Sequence, residues 1–241
     1  MGRNIVKKKG GGGGNKELKK IQKEVLFYNI KLIKSGLVFL NFGNFSSRYA
    51  ENFVIKPSGI DLKKVKADHM SLYNSKRNKY KPSVDSPMHH FIYKNFHKIN
   101  SVTHTHSKFA TAFAQASKKL DCIGTTQADY FRGSIPVISN LHKNMVINDY
   151  ELNLGKKIVS YFKKNKINYL HIPGVLLEKH GVVAWGKNAS QCFTNALLIE
   201  YVAELNFYSL LLKKKIALLP SYISNKHFNR KHGKKKYYGQ D

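Results

Sequence analysis

Hydrophobic positions in residues 16–35 step by three and four. Leu18, Ile21, Val25, Tyr28 and Leu32 fall on one face of a 3.6-residue period, which predicts an amphipathic helix closed by Gly36 in the left-handed conformation. The run Leu37-Val38-Phe39-Leu40 reads as a strand leading into a polar loop at 41–47. Asn52-Phe53-Val54-Ile55 reads as a second strand running into Lys56-Pro57-Ser58-Gly59. Asp85-Ser86-Pro87 opens a helix, with Ser86 as N-cap, Pro87 in the first turn and Met88, Phe91, Ile92 and Phe96 on the apolar side. His89, His90 and His97 on that segment read as surface or packing residues. Val102, Thr103 and Thr105 favour a strand, and a helix starts at Ser107 with Phe109, Ala112, Phe113 and Ala116 along one side. Residues 121–133 read as a polar loop, and Leu154, Ile158, Val159 and Phe162 mark a helix. Gly174-Val175-Leu176-Leu177 is an apolar run that ends at His180, and Asn188 caps a long helix reaching about Leu212. Strands and helices alternate without a regular βαβ period, so the pattern predicts one mixed-sheet α/β domain.

The two ends differ from the body. Residues 1–15 hold Lys7-Lys8-Lys9 and then Gly10 to Gly14; without a preceding strand this is a flexible leader and no phosphate loop. The domain is expected over 16–241. Its last stretch, 221–241, is basic and aromatic, and fits either a disordered RNA-binding end or an arm reaching into a neighbouring subunit's site.

Charge changes the picture less than its size suggests. Forty-two Lys and Arg against 14 Asp and Glu give +28, a balance that prompts a nucleic-acid reading. The lysines are scattered through nearly every segment, and no zinc-finger, basic-zipper or RNA-recognition pattern is present. A specific nucleic-acid partner is therefore not expected, although polyanions will stick and anionic small substrates will be drawn in. No apolar run approaches the roughly 20 residues of a membrane span. Two cysteines cannot build a disulfide framework, so the expectation is a cytoplasmic protein with no membrane partner.

The candidate chemistry starts at Ser101-Val102-Thr103-His104-Thr105-His106-Ser107. Residues i and i+2 of a strand share a face, so His104 and His106 present two imidazoles side by side. A Zn²⁺-type site needs three or four ligands; His180 is a candidate third and Asp85 a candidate acid. The turns at Gly43-Asn44 and Lys56-Pro57-Ser58-Gly59 offer small residues, free amides and a lysine. They read either as ordinary turns or as a phosphate cradle.

Several pieces in register resemble the class II aldolase/epimerase family. They are Gly43-Asn44, Lys56-Pro57-Ser58-Gly59, Asp85-Ser86-Pro87-x-His89, His104-Thr105-His106-Ser107, Gly124-Thr125-Thr126-x-Ala128-Asp129-Tyr130-Phe131, His180-Gly181 and Ala184-Trp185-Gly186-Lys187. The closing Lys226-His227-x-x-Arg230-Lys231-His232-Gly233 and Tyr237-Tyr238-Gly239-Gln240 look like the L-ribulose-5-phosphate 4-epimerase branch of that family. The resemblance covers roughly residues 17–240. It implies a single-domain α/β/α sandwich with a largely antiparallel sheet, assembled as a homotetramer with sites between subunits. It also implies a divalent metal, usually Zn²⁺ (or Mn²⁺ or Co²⁺), held by His104, His106 and His180 with Asp85 on or near it. The implied reaction turns a phosphorylated pentulose, L-ribulose 5-phosphate, into D-xylulose 5-phosphate by cleaving and remaking the C3–C4 bond. Asp129 and Tyr238, the latter from an adjacent subunit, are implied as acid/base groups. Gly43, Asn44, Ser58, Gly59, Ser83 and Val84 are implied around the phosphate, with Lys56 adding charge. Thr125, Glu151, His227 and Arg230 are supporting groups.

Fuculose-phosphate aldolases in the family carry a glutamate where Asp85 stands, so Asp85 points to the epimerase. The alternatives are a sugar-phosphate aldolase, or a decayed member that mainly binds polyanions. Three departures bear on this. Val84 stands where the family has a serine, Gln127 replaces a histidine, and Glu178-Lys179 alters the approach to His180.

Overall fold

The computed structural model describes residues 13–234 and 236–238. Most of the expected leader, residues 1–12, lies outside the described residues, as do Gly239 to Asp241. The first helix, α1 (Gly13–Lys34), begins before residue 16. It ends as predicted at Gly36, φ +75. Gly36 N–H donates to Ile33 O (3.0 Å) and Leu37 N–H to Leu32 O (3.0 Å), a paired closure of the last turn, with Leu32 and Leu37 buried in one cluster. That closure is why residues 37–40 are not a strand: Leu37 and Val38 finish the helix, and Leu40 adopts φ +53.

The sheet has seven strands in the order β3-β2-β1-β4-β7-β6-β5. They are β1 (Gly43–Tyr49), β2 (Asn52–Ile55), β3 (Ser71–Leu72), β4 (Ser101–Thr105), β5 (Val137–Ile138), β6 (Gly174–Leu177) and β7 (Gly181–Gly186). Every pairing is antiparallel except β5 with β6. The largely antiparallel α/β sandwich expected from the sequence is what forms. Residues read as the loop 41–47 are in fact mostly β1, whose polar side chains hid it. Ser46 and Ser47 are buried but bonded, Ser47 Oγ lying 3.0 Å from Ser101 Oγ.

Alternation along the inner strands builds two cores. Leu176, Val182 and Ala184 face α3 (Lys108–Gln115) and α7 (Ala189–Leu212). Val175, Leu177, Val183 and Trp185 face α2 (Ser86–Asn95) and α6 (Tyr150–Lys164). Trp185 is fully buried and its Nε1–H donates to Tyr169 O at 2.7 Å. The cap of α7 is Asn188, whose side chain accepts from Gln191 N–H at 2.8 Å.

Four further expectations shift. Asp85, not Ser86, is the N-cap residue of α2. The segment 121–133 contains a short helix, α4 (Thr125–Ala128). His180 sits in the turn joining β6 to β7 and not at a strand end. The basic tail, open between disorder and an arm, forms α8 (Ser221–His232) after α5 (Lys143–Ile147), and α8 packs on α4 of its own chain. No helix among the described residues is long and apolar enough to cross a membrane.

Candidate metal centre and the groups around it

The three histidines converge. His104 is the penultimate residue of β4 and His106 follows two residues on, while the β6–β7 turn brings in His180. Ring centroids lie 4.8, 4.8 and 5.0 Å apart, and one nitrogen from each ring fits within 4.8 Å of the others. The hairpin can approach because Gly181 has no side chain: a Cβ there would stand 2.6 Å from Thr105 O.

Hydrogen bonding fixes which nitrogen is offered. His104 Nδ1 lies 2.9 Å from Val182 O, which can only accept, so Nδ1 carries the proton and Nε2 keeps its lone pair. That Nε2 is 3.0 Å from His106 Nε2. His180 Nδ1 is 3.3 Å from the hydroxyl of Tyr150, a residue at the start of α6 that no sequence signal singles out. Burial pushes all three imidazoles below the usual range, and their mutual repulsion adds to it; His180 comes down to about 4. At neutral pH they are therefore uncharged donors.

Asp85, at the mouth of α2, supplies the charge. Burial raises its carboxyl, but His104, His89, the Asn44 hydrogen bond and His180 outweigh that and hold it below the ordinary value. Asn44 Nδ2 donates to Asp85 Oδ2 at 2.5 Å and to Ser83 Oγ at 3.2 Å. A carboxylate facing three neutral imidazoles, one lone pair already aimed at a neighbour, is a donor set suited to a divalent cation.

The expected phosphate residues fall beside it. Gly43 (φ +146) and Asn44 pair with Thr105 and His104 at the edge of β1. Lys56 is buried and its Nζ donates to Asn41 O at 3.1 Å; burial lowers its ammonium, against a pull upward from Asp85. The 56–59 loop is tied to the 81–85 loop by Ser83 N–H to Lys56 O and Ser58 N–H to Lys81 O, each 3.0 Å. Gly59 borders open space at φ +64. The side chain of Val84 is 62% exposed.

Asp129 belongs to a different cluster. Arg230 grips both its oxygens, Nε to Oδ1 at 2.8 Å and Nη2 to Oδ2 at 2.7 Å; His227 Nδ1 lies 3.0 Å from Oδ1. Burial raises the carboxyl, but these bonds hold it below the usual range. His232 Nε2 donates to Asp129 O at 2.9 Å, and the Tyr238 ring lies 4.3 Å from the Arg230 guanidinium. Thr125 O accepts the Asp129 N–H at 2.9 Å, while Glu151 sits in the first turn of α6 near Tyr150. Gln127 is a bracing residue: its Nε2 donates to Leu120 O and Gly133 O. Glu178 accepts from Asn140 N–H at 2.7 Å and Lys179 donates to Gln115 O, so both are held in the turn before His180.

Within one chain the two clusters sit at opposite ends of β7. A cleft of about 590 Å³ between α8 and the sheet is lined by Phe228 and His232 together with Trp185 and Gly186. His180 adjoins Gly181, five residues earlier, roughly 17 Å away along a strand.

The sequence matches the family model described as Class II Aldolase and Adducin N-terminal domain over residues 23–207. The chain belongs to this family. Its fold matches a solved L-fuculose 1-phosphate aldolase at 20% identity and TM-score 0.70, over 86% of this chain and 94% of that one. The L-fuculose-1-phosphate aldolase of Thermus thermophilus matches at 18% identity and TM-score 0.64, over 83% and 99%. YgbL of Escherichia coli, a putative aldolase/epimerase/decarboxylase, matches at 19% and TM-score 0.66, over 87% and 98%. At these identities the likeness is one of fold.

Proposed function

We propose that this class II aldolase-family protein is a divalent-metal-dependent enzyme that interconverts L-ribulose 5-phosphate and D-xylulose 5-phosphate at C4. The observation that carries the proposal is the convergence of His104, His106 and His180 beside the Asp85 carboxylate, with the His104 tautomer set by Val182 O. A divalent cation bound there supplies Lewis acidity for negative charge on the ketose oxygens. The chain's own groups do the rest. Asn44, Ser83 and the Val84 backbone bind the phosphate next to Gly43, Ser58 and Gly59, with Lys56 adding its charge. One of Asp129 and Tyr238 takes the C4 hydroxyl proton as the C3–C4 bond breaks, and the other gives a proton back to the C4 oxygen when the bond re-forms on the other face of the turned aldehyde fragment.

Asp129 and Tyr238 ride on one cluster, at the far end of β7 from the chain's own triad. In this proposal they serve the triad of a neighbouring subunit in a homotetramer, delivered as a unit with His227, Arg230 and the supporting Thr125.

The second reading is an aldolase that releases its aldehyde; the fuculose-phosphate aldolase folds among the structural matches favour it. Metal-loaded protein given L-ribulose 5-phosphate separates the two. Xylulose 5-phosphate without net fragments supports the epimerase. Accumulation of dihydroxyacetone and glycolaldehyde phosphate supports the aldolase, and no turnover of either pentulose phosphate or fuculose 1-phosphate overturns both.

A further inference from the structure

His89 reads as a surface or packing residue in the sequence, and the structure buries it completely on α2. Among the described residues, however, its Nε2 has no hydrogen-bond partner, and neither does Asn44 Oδ1. Leaving a buried polar group unpaired costs about 1–3 kcal/mol, so an orphan in the core beside a functional site calls for an explanation.

Position supplies the first part. His89 stands four residues after Asp85, and its backbone N–H donates to Asp85 O at 3.1 Å. Side chains at i and i+4 share a helix face, and helical side chains lean back toward the N-terminus. The imidazole therefore leans toward the Asp85 end of α2.

The proton count supplies the second. His89 Nδ1 lies 2.8 Å from Ser46 Oγ, and Tyr93 Oη also lies 2.8 Å from that oxygen. Tyr93 Oη also lies 3.1 Å from Ser46 O, and Val102 O lies 3.3 Å from Ser46 Oγ. In one proton arrangement Tyr93 donates to Ser46 Oγ and the single Ser46 proton goes to His89 Nδ1. A neutral imidazole carries one N–H. In that arrangement the hydrogen is on Nε2, a buried donor without an acceptor among the described residues. Asp85, meanwhile, uses Oδ2 for Asn44, and among the described residues no donor is placed on Oδ1.

We infer that His89 is a positioning residue for Asp85: its Nε2–H is the donor that holds the second carboxylate oxygen when a cation is bound, and Ser46 sets the tautomer that makes this possible. The inference rests on the metal-centre reading above. Outer-shell partners of this kind typically change metal affinity by 10- to 100-fold when removed.

The test is Zn²⁺ affinity, measured by competition with a chromophoric chelator, alongside the melting temperature of the metal-free protein. His89→Phe keeps the ring volume without the donor; His89→Gln keeps an N–H near the Nε2 position. The expected result is affinity about ten-fold or more weaker in His89→Phe, largely restored in His89→Gln, at similar metal-free melting temperatures. Ser46→Ala should weaken affinity in the same direction. Equal affinity in the Phe and Gln variants, whether like wild type or equally reduced, overturns the positioning role and leaves packing. Failure of the wild type to bind Zn²⁺ at all would instead remove the metal-centre reading, and this inference with it.

Discussion

At Gly43 the backbone of β1 comes against the metal strand too closely for a Cβ, and replacing it by alanine tests that approach. Gly43 has φ +146, and an added Cβ would stand 2.6 Å from Val38 Cγ2 and 2.8 Å from His104 O. Neither neighbour yields easily. Val38 is buried against Leu32, and the His104 carbonyl belongs to a strand paired on both sides. Backbone strain at such a φ costs about 1–3 kcal/mol, and overpacking a further 1–3. Reduced freedom of the unfolded chain offsets roughly 0.4–1. The expected loss is thus about 2–5 kcal/mol, a fall of roughly 5–15 °C in melting temperature for a domain of this size. Gly59→Ala is the control: φ is +64 but nothing lies within 4 Å, so the loss should stay near 1 kcal/mol. Thermal unfolding followed by Trp185, the chain's single tryptophan, reads both. Equal stability of the two variants would refute the close approach of β1 to His104.

Acid should destabilise the metal-free protein. His180 and His89 are held down to about 4 and about 3 in the fold, so below their unfolded value near 6.5 the unfolded chain binds more protons. Stability is complete above that value and drains away as pH falls toward 4 and 3. The lowered carboxyls of Asp85 and Asp129 act in the same direction at lower pH. Melting temperatures of chelator-treated protein at pH 7 and pH 5 check the sign, and an unchanged or higher value at pH 5 contradicts it. Subunit mixing tests how the two clusters meet. Tyr238→Phe mixed with His104→Ala should regain activity, because each chain keeps one intact cluster. Tyr238→Phe mixed with Asp129→Asn should not, because both lesions fall in the same cluster. Recovery in the second mixture would show that Asp129 and Tyr238 serve different sites.

The parts of the molecule visible in the sequence are those governed by local periodicity. His104 and His106 share a face because a strand repeats every two residues, α1, α2 and α6 show the three-and-four spacing of a half-buried helix, and α7 is announced by its Asn188 cap. What stayed hidden depends on distant partners. β1 carries Asn44, Ser46, Ser47 and Arg48, which read as loop until β4 and α2 supply their hydrogen bonds. Leu37-Val38 has a strand's composition, but Gly36 turns it into a helix closure. The tail looked ready for disorder by charge alone; Asp129, about 100 residues earlier, gives Arg230 and His227 a carboxylate to hold. Tyr150 carries no motif, and His89 stands in the Asp85-Ser86-Pro87-x-His89 piece without a role of its own; only the folded geometry places one against His180 and the other in the core four residues after Asp85.

The metal content of the purified protein tests the central claim most directly. After dialysis against Zn²⁺, elemental analysis should find about one ion per chain, as a single three-histidine site demands, and His104→Ala or His180→Ala should lose it while keeping the fold. Full metal content in a folded His104→Ala protein would contradict the account.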